Sequence, residues 1–84
     1  MPRALTAEWQ RITTADQPEA ARRWRVRREV LARHGCHHWI FRSPSDPDAF
    51  LEFIEGSDAE IIALARSGAG LDASTEILTE LELH

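Results

Sequence analysis

The stretch Gly35–Glu60, GCHHWIFRSPSDPDAFLEFIEGSDAE, limits what this chain can fold into more than any other. Two short apolar runs, Cys36–Arg42 and Phe50–Glu55, flank the insert Ser43–Ala49. The insert, SPSDPDA, is built from turn formers and holds no apolar run, so it is a loop. The two runs then pair as an antiparallel hairpin. If Phe41 lies opposite Leu51, Trp39 lies opposite Phe53 and Ile40 opposite Glu52. Glu52 is then diagonal to both His38 and Arg42, within reach of long side chains.

The remaining segments must pack against that hairpin. Ala4–Ile12 alternates, with Leu5, Ala7 and Trp9 on one side and Thr6, Glu8 and Gln10 on the other, which predicts a strand. Asp16, Pro18 and Glu19 form a helix-start signal, and the spacing predicts a helix over Ala20–Arg33 ended by a left-handed Gly35. Ser57-Asp58-Ala59-Glu60 reads as a capping box for a second helix that Gly68 closes. Ser67–Ser74 is a connector, and Glu76–Leu83 alternates as a last strand. The order strand, helix, strand, strand, helix, strand predicts an α+β fold. It is a ferredoxin-like βαββαβ plait, a four-stranded antiparallel sheet with two helices on one face. With 84 residues, positions 1–84 are expected to form a single domain.

Sorting the strand residues by parity gives two sets. Leu5, Ala7, Trp9, His37, Trp39, Phe41, Leu51, Phe53, Ile77, Leu81 and Leu83 are nearly all apolar, and we assign them to the side beneath the helices. Thr6, Glu8, Gln10, Cys36, His38, Ile40, Arg42, Phe50, Glu52, Ile54, Leu78, Glu80 and Glu82 mix bulky apolar groups with ionisable ones. A solvated face should be polar. Leaving Ile40, Phe50, Ile54 and Leu78 wet would cost roughly 1.5–3 kcal/mol each. A second copy of the chain, sheet against sheet, is the expected cover, because a large exposed apolar patch marks an interaction surface. Glu8, Gln10, Ile40, Arg42, Phe50, Ile54 and Glu80 would then line an enclosed space suited to a small hydrophobic or aromatic ligand.

The residues Trp39–Ala59, with Asp46-Pro47, Phe50, Glu52 and Gly56 in order, resemble the antibiotic-biosynthesis-monooxygenase-like dimeric α/β barrels. His34-Gly35-Cys36 is similar to that superfamily's step into the second strand. The resemblance implies a ferredoxin-like fold and a homodimer. It also implies a range of activities, among them cofactor-independent oxygenation of aromatic polyketides, haem degradation and small isomerisations. Catalytic residues vary between subfamilies, so none is carried over by position.

Read from the residues alone, His38 with Glu52 is the candidate catalytic pair. An imidazole titrating near neutrality can take a proton from a phenol or activated carbon, and a carboxylate beside it can orient the ring. The plainer reading is an ion pair between Glu52 and Arg42, with His38 filling an interface. His34, Cys36, His37 and His38 crowd together, but neighbouring strand residues point to opposite faces and no second ligand motif has standard spacing. No metal and no cofactor are expected. Trp9, Trp24 and Trp39 read as core packing. Arg22, Arg23, Arg25, Arg27, Arg28 and Arg33 spread around the first helix and read as a solvated face.

A formal net charge of −4 argues against a general nucleic-acid binder. The lone Cys36 fits a reducing compartment. No apolar run reaches the ~20 residues of a membrane span, and the first residues lack a signal-peptide pattern, so a cytoplasmic location is expected. Two functional readings follow. One is a homodimeric barrel that binds or transforms a small hydrophobic or aromatic molecule, as a cofactor-independent oxygenase or isomerase. The alternative is a non-catalytic dimeric ligand-binding or scaffolding module.

Overall fold

A computed structural model describes residues 2–83. Its elements are β1 (Ala4–Arg11), a 3-10 turn (Thr14–Asp16), α1 (Gln17–Arg33), β2 (His37–Arg42), β3 (Ala49–Gly56), α2 (Ala59–Gly68) and β4 (Leu78–Thr79). The strands form one antiparallel sheet in the order β2-β3-β1-β4, with both helices packed on one face. This is the ferredoxin-like plait.

The hairpin register is the expected one. Trp39 faces Phe53, Ile40 faces Glu52 and Phe41 faces Leu51. The loop between them closes through the amide of Ser43 on the carbonyl of Ala49, and Asp46 accepts the amide of Asp48. The helix ends follow local chemistry. Gly35 has φ +78°, and the amides of Gly35 and Cys36 return to the carbonyls of Ala32 and Leu31, a Schellman closure. α1 starts three residues earlier than the periodicity suggests, because the 3-10 turn carries the chain into Gln17 and Pro18 tolerates the first turn.

Two local expectations are corrected. α2 is capped by Asp58, whose Oδ1 accepts the amide of Ile61 at 2.9 Å, and not by Ser57. It closes through Gly70, at φ +71°, while Gly68 remains helical, and a Cβ there would lie 3.1 Å from His34 Nε2. The last strand is also shorter than Glu76–Leu83. Beyond Glu80, whose amide bonds the carbonyl of Arg3, no further pairing with β1 follows among the described residues.

The larger correction concerns the faces. The set expected on the open side lies beneath the helices. Thr6, Cys36, His38, Phe50, Glu52 and Ile54 are buried there, with Leu31, Ile62 and Ala65 of the helices packed on Ala4, Cys36 and Ile54. Small residues explain the choice. Ala4, Thr6, Cys36 and Gly56 let the helices approach, and a Cβ added to Gly56 would lie 2.9 Å from Ile62 Cγ1. The bulky set of Leu5, Trp9, Trp39, Phe41, Leu51 and Phe53 stands on the open side instead. In β4 the pattern reverses: Ile77 packs on the core as expected, whereas Leu78, opposite Leu5, joins the open face.

Candidate functional site

Glu52 lies at the centre of a polar cluster on the covered side of β3. Its neighbour across β2 is His38, whose Nε2 is 2.6 Å from Glu52 Oε2. From α1, Arg27 donates to both oxygens at 2.7 and 2.8 Å. From β1, Gln10 donates its amide to Oε1. The side chains of His38 and Glu52 are 0% and 3% exposed. Burial works to raise the pKa of Glu52, but the hydrogen bonds from His38 and Arg27, the Arg27 charge and Gln10 outweigh it. The carboxyl is held at about 2 instead of 4.5.

The second imidazole nitrogen is occupied too. Arg28 Nε donates to His38 Nδ1 at 3.3 Å. An arginine cannot accept, so Nδ1 is the accepting nitrogen and Nε2 carries the proton given to Glu52. Both ring nitrogens of His38 are therefore engaged by side chains, and the ring is shut off from solvent. This arrangement orients and neutralises; it leaves no free lone pair to abstract a proton from a ligand.

A second cluster sits beside the first. Arg66 of α2 is buried and reaches Glu8 Oε1 at 2.9 Å, Thr6 Oγ1 at 3.1 Å, the carbonyl of Asp72 at 3.1 Å and Thr75 Oγ1 at 2.9 Å. Thr75 in turn donates to Glu8 Oε2. One arginine thus ties α2, β1 and the connector before β4 together. Among the described residues no buried side-chain nitrogen or oxygen lacks a partner.

The remaining expected site residues divide. Glu8, Gln10, Phe50 and Ile54 join the covered side with His38 and Glu52, not a space between protomers. Ile40 is half-buried opposite Glu52. Phe50 packs against Trp24 with ring centroids 5.4 Å apart and the planes tilted by 56°. Arg42 does not meet Glu52; its guanidinium lies over the Phe50 ring and reaches Gln17. Glu80 is remote, paired with Arg3 at the sheet end. Sequence reasoning missed Arg27, Arg28 and Arg66. The available signal was their position on otherwise apolar helix stripes, Arg27 between Trp24 and Leu31 and Arg66 one turn beyond Ile62. Of the histidine and cysteine cluster, Cys36 is buried with its thiol pKa raised by desolvation, and His37 stacks beside Trp39 on the open face. Among the described residues no three His, Cys, Asp or Glu side chains gather as a metal site.

The open face is the other candidate. Trp9 is 66% exposed, Phe41 55%, Leu78 47% and Trp39 42%. Phe41 packs edge-on to Phe53. The charged groups stand at its two ends, with Arg3 bridging Glu55 and Glu80 at one and Arg11 on Asp46 at the other. A depression of about 340 Å³ opens beside Leu5 and Leu78 at the Arg3 end. An apolar centre with a charged rim is the anatomy of an interface. No described helix is long and apolar enough to cross a membrane.

No family model matches the chain, and no curated protein or solved structure matches it significantly.

Proposed function

We propose that this chain is a homodimeric, non-catalytic module that assembles through the open face of its sheet. The observation that carries the reading is the band of apolar side chains on that face, with Trp9, Trp39, Phe41 and Leu78 exposed and Leu5 and Phe53 half-buried among them. Its size supports a partner. A monomer of 9.5 kDa is expected to expose about 5,000 Å², whereas this chain exposes 5801 Å². The resemblance of Trp39–Ala59 to dimeric α/β barrels agrees with it.

The saturated His38–Glu52 cluster favours this reading over a proton-abstracting enzyme. A base needs an accepting nitrogen that a ligand can reach, and neither nitrogen of His38 is free. The polar cluster serves the fold, and the open face serves assembly.

Light scattering on the purified chain at micromolar concentration tests the proposal. A dimer is expected, and Phe41→Glu is expected to give a folded monomer with unchanged far-UV circular dichroism. A wild-type monomer removes the reading.

A further inference from the structure

The open face of the sheet is not flat. Trp9, the most exposed aromatic side chain among the described residues, stands up near one end of β1. Near the other end the depression of about 340 Å³ opens over Leu5 and Leu78, between Arg3, Glu55 and Glu80. Ala7 lies midway between Leu5 and Trp9 and is the smallest side chain on that face of the strand. The edges of the sheet differ as well. β2 carries Trp39 and Phe41, whereas β4 is two residues long and adds one apolar side chain, Leu78. So do the ends. Arg3 is shared by two carboxylates, Glu55 and Glu80, whereas Arg11 at the far end meets Asp46.

We infer that Trp9 of each protomer fills the depression over Leu5 and Leu78 of the other, about a two-fold axis that crosses the strands at Ala7. The inference rests on the face-to-face dimer proposed above and fixes how its two copies are turned. Sheets packed face to face lie about 10 Å apart with their side chains interdigitated, so a projecting ring needs a hollow opposite it. A two-fold axis between the sheets runs either along the strands or across them. An axis along the strands lays β1 over the partner's β3 and β2 over the partner's β4. Trp9 then meets the partner's Leu51, the depression stays empty, and β4 is too short to cover Trp39 and Phe41. It also sets the two carboxylate-rich ends against each other. An axis across the strands keeps each strand over its own copy and reverses its direction. With that axis at Ala7, Trp9 stands over the partner's Leu5 and Phe41 over the partner's His37. Arg11 arrives between the partner's Glu55 and Glu80, so the surplus carboxylate gains a cation. An aromatic ring seated in a pocket near the middle of the patch is where an interface concentrates its energy.

Sedimentation equilibrium of the full chain tests this. Trp9→Leu leaves the hollow unfilled, and Leu5→Trp sets two rings in one space, so each is expected to raise the dimer Kd about tenfold. Mixed in equal amounts, the two variants are expected to form a heterodimer as tight as the wild-type dimer, because each of its two contacts then pairs one tryptophan with one leucine. A second measurement leaves those side chains untouched. The chain contains no lysine, so Arg11→Lys supplies a single side-chain amine for zero-length carbodiimide coupling. Covalent dimers joined from position 11 to Glu55 or Glu80 are expected. Dimers joined to Asp46 or Asp48 instead, or none at all, overturn the inference, as does a mixture no tighter than its separate variants. If Phe41→Glu still yields a monomer in that case, the face-to-face dimer stands without the crossed packing. A monomeric wild type overturns both.

Discussion

Glu8 and Glu52 stand directly opposite each other across β1 and β3, and each is held by an arginine from a different helix. Two carboxylates facing across strands repel, more so beneath a helical layer where water is scarce. Arg27 of α1 answers Glu52 and Arg66 of α2 answers Glu8. The strand register therefore depends on both helices being docked, which couples the two layers of the fold.

Arg27→Met should expose that coupling. It leaves Glu52 buried beside Glu8 with His38 and Gln10 as its remaining partners. The expected loss is about 3 kcal/mol, as for breaking a buried ion pair. Replacing both members, Arg27→Met with Glu52→Leu, should recover most of it. Urea denaturation of the single and double variants measures the difference; a double variant no more stable than Arg27→Met contradicts the account.

Acid should weaken the fold through the same carboxyl. Its folded pKa of about 2 lies below the unfolded 4.5, so the folded state disfavours its protonation. The stabilisation is complete above pH 4.5 and is lost as pH falls through 2. With allowance for solvent screening, Glu52 contributes about 2 kcal/mol to that slope. Unfolding free energies between pH 2 and 6 should fall less steeply in Glu52→Gln than in the wild type.

Gly56→Ala should destabilise by overpacking. The added methyl would meet Ile62 Cγ1 at 2.9 Å and Cys36 Sγ at 3.2 Å, and both sit in the core. A cost of about 1–3 kcal/mol is expected, read as a lowered thermal midpoint. Pairing it with Ile62→Ala, which removes Cγ1, should cost less than the sum of the two separate losses.

Arg66→Met should loosen one edge selectively. Arg66 binds Asp72 and Thr75 of the connector, and through them delivers the chain to Leu78. Hydrogen exchange should show lost protection at the amide of Glu80, while the amides of the β2–β3 hairpin stay protected. Uniform loss across the sheet would mean that Arg66 supports the whole fold instead.

The hairpin register, the order of elements and the turn at Gly35 could all be read from residue order, because each depends on neighbours in the chain. So could the meeting of His38 with Glu52, which follows once Ile40 is set opposite Glu52. Arg27, Arg28 and Arg66 escaped because their partners lie on other elements. Arginine on a helix is usually solvated, and only the docking angle turned Arg27 and Arg66 inward and set Arg28 beside His38. Arg42, the partner expected for Glu52, lost that role to Arg27, which approaches from above the sheet.

Alternation along Ala4–Ile12, Cys36–Arg42 and Phe50–Glu55 was enough to say which side chains travel together, since a strand's period of two admits no other grouping. It could not say which group the helices would cover, because both groups are apolar enough to be buried. That choice turned on shape and charge in three dimensions. Gly56, Cys36, Ala4 and Thr6 leave room for helices, and Arg27 and Arg66 arrive at Glu52 and Glu8 only when the helices lie on that side.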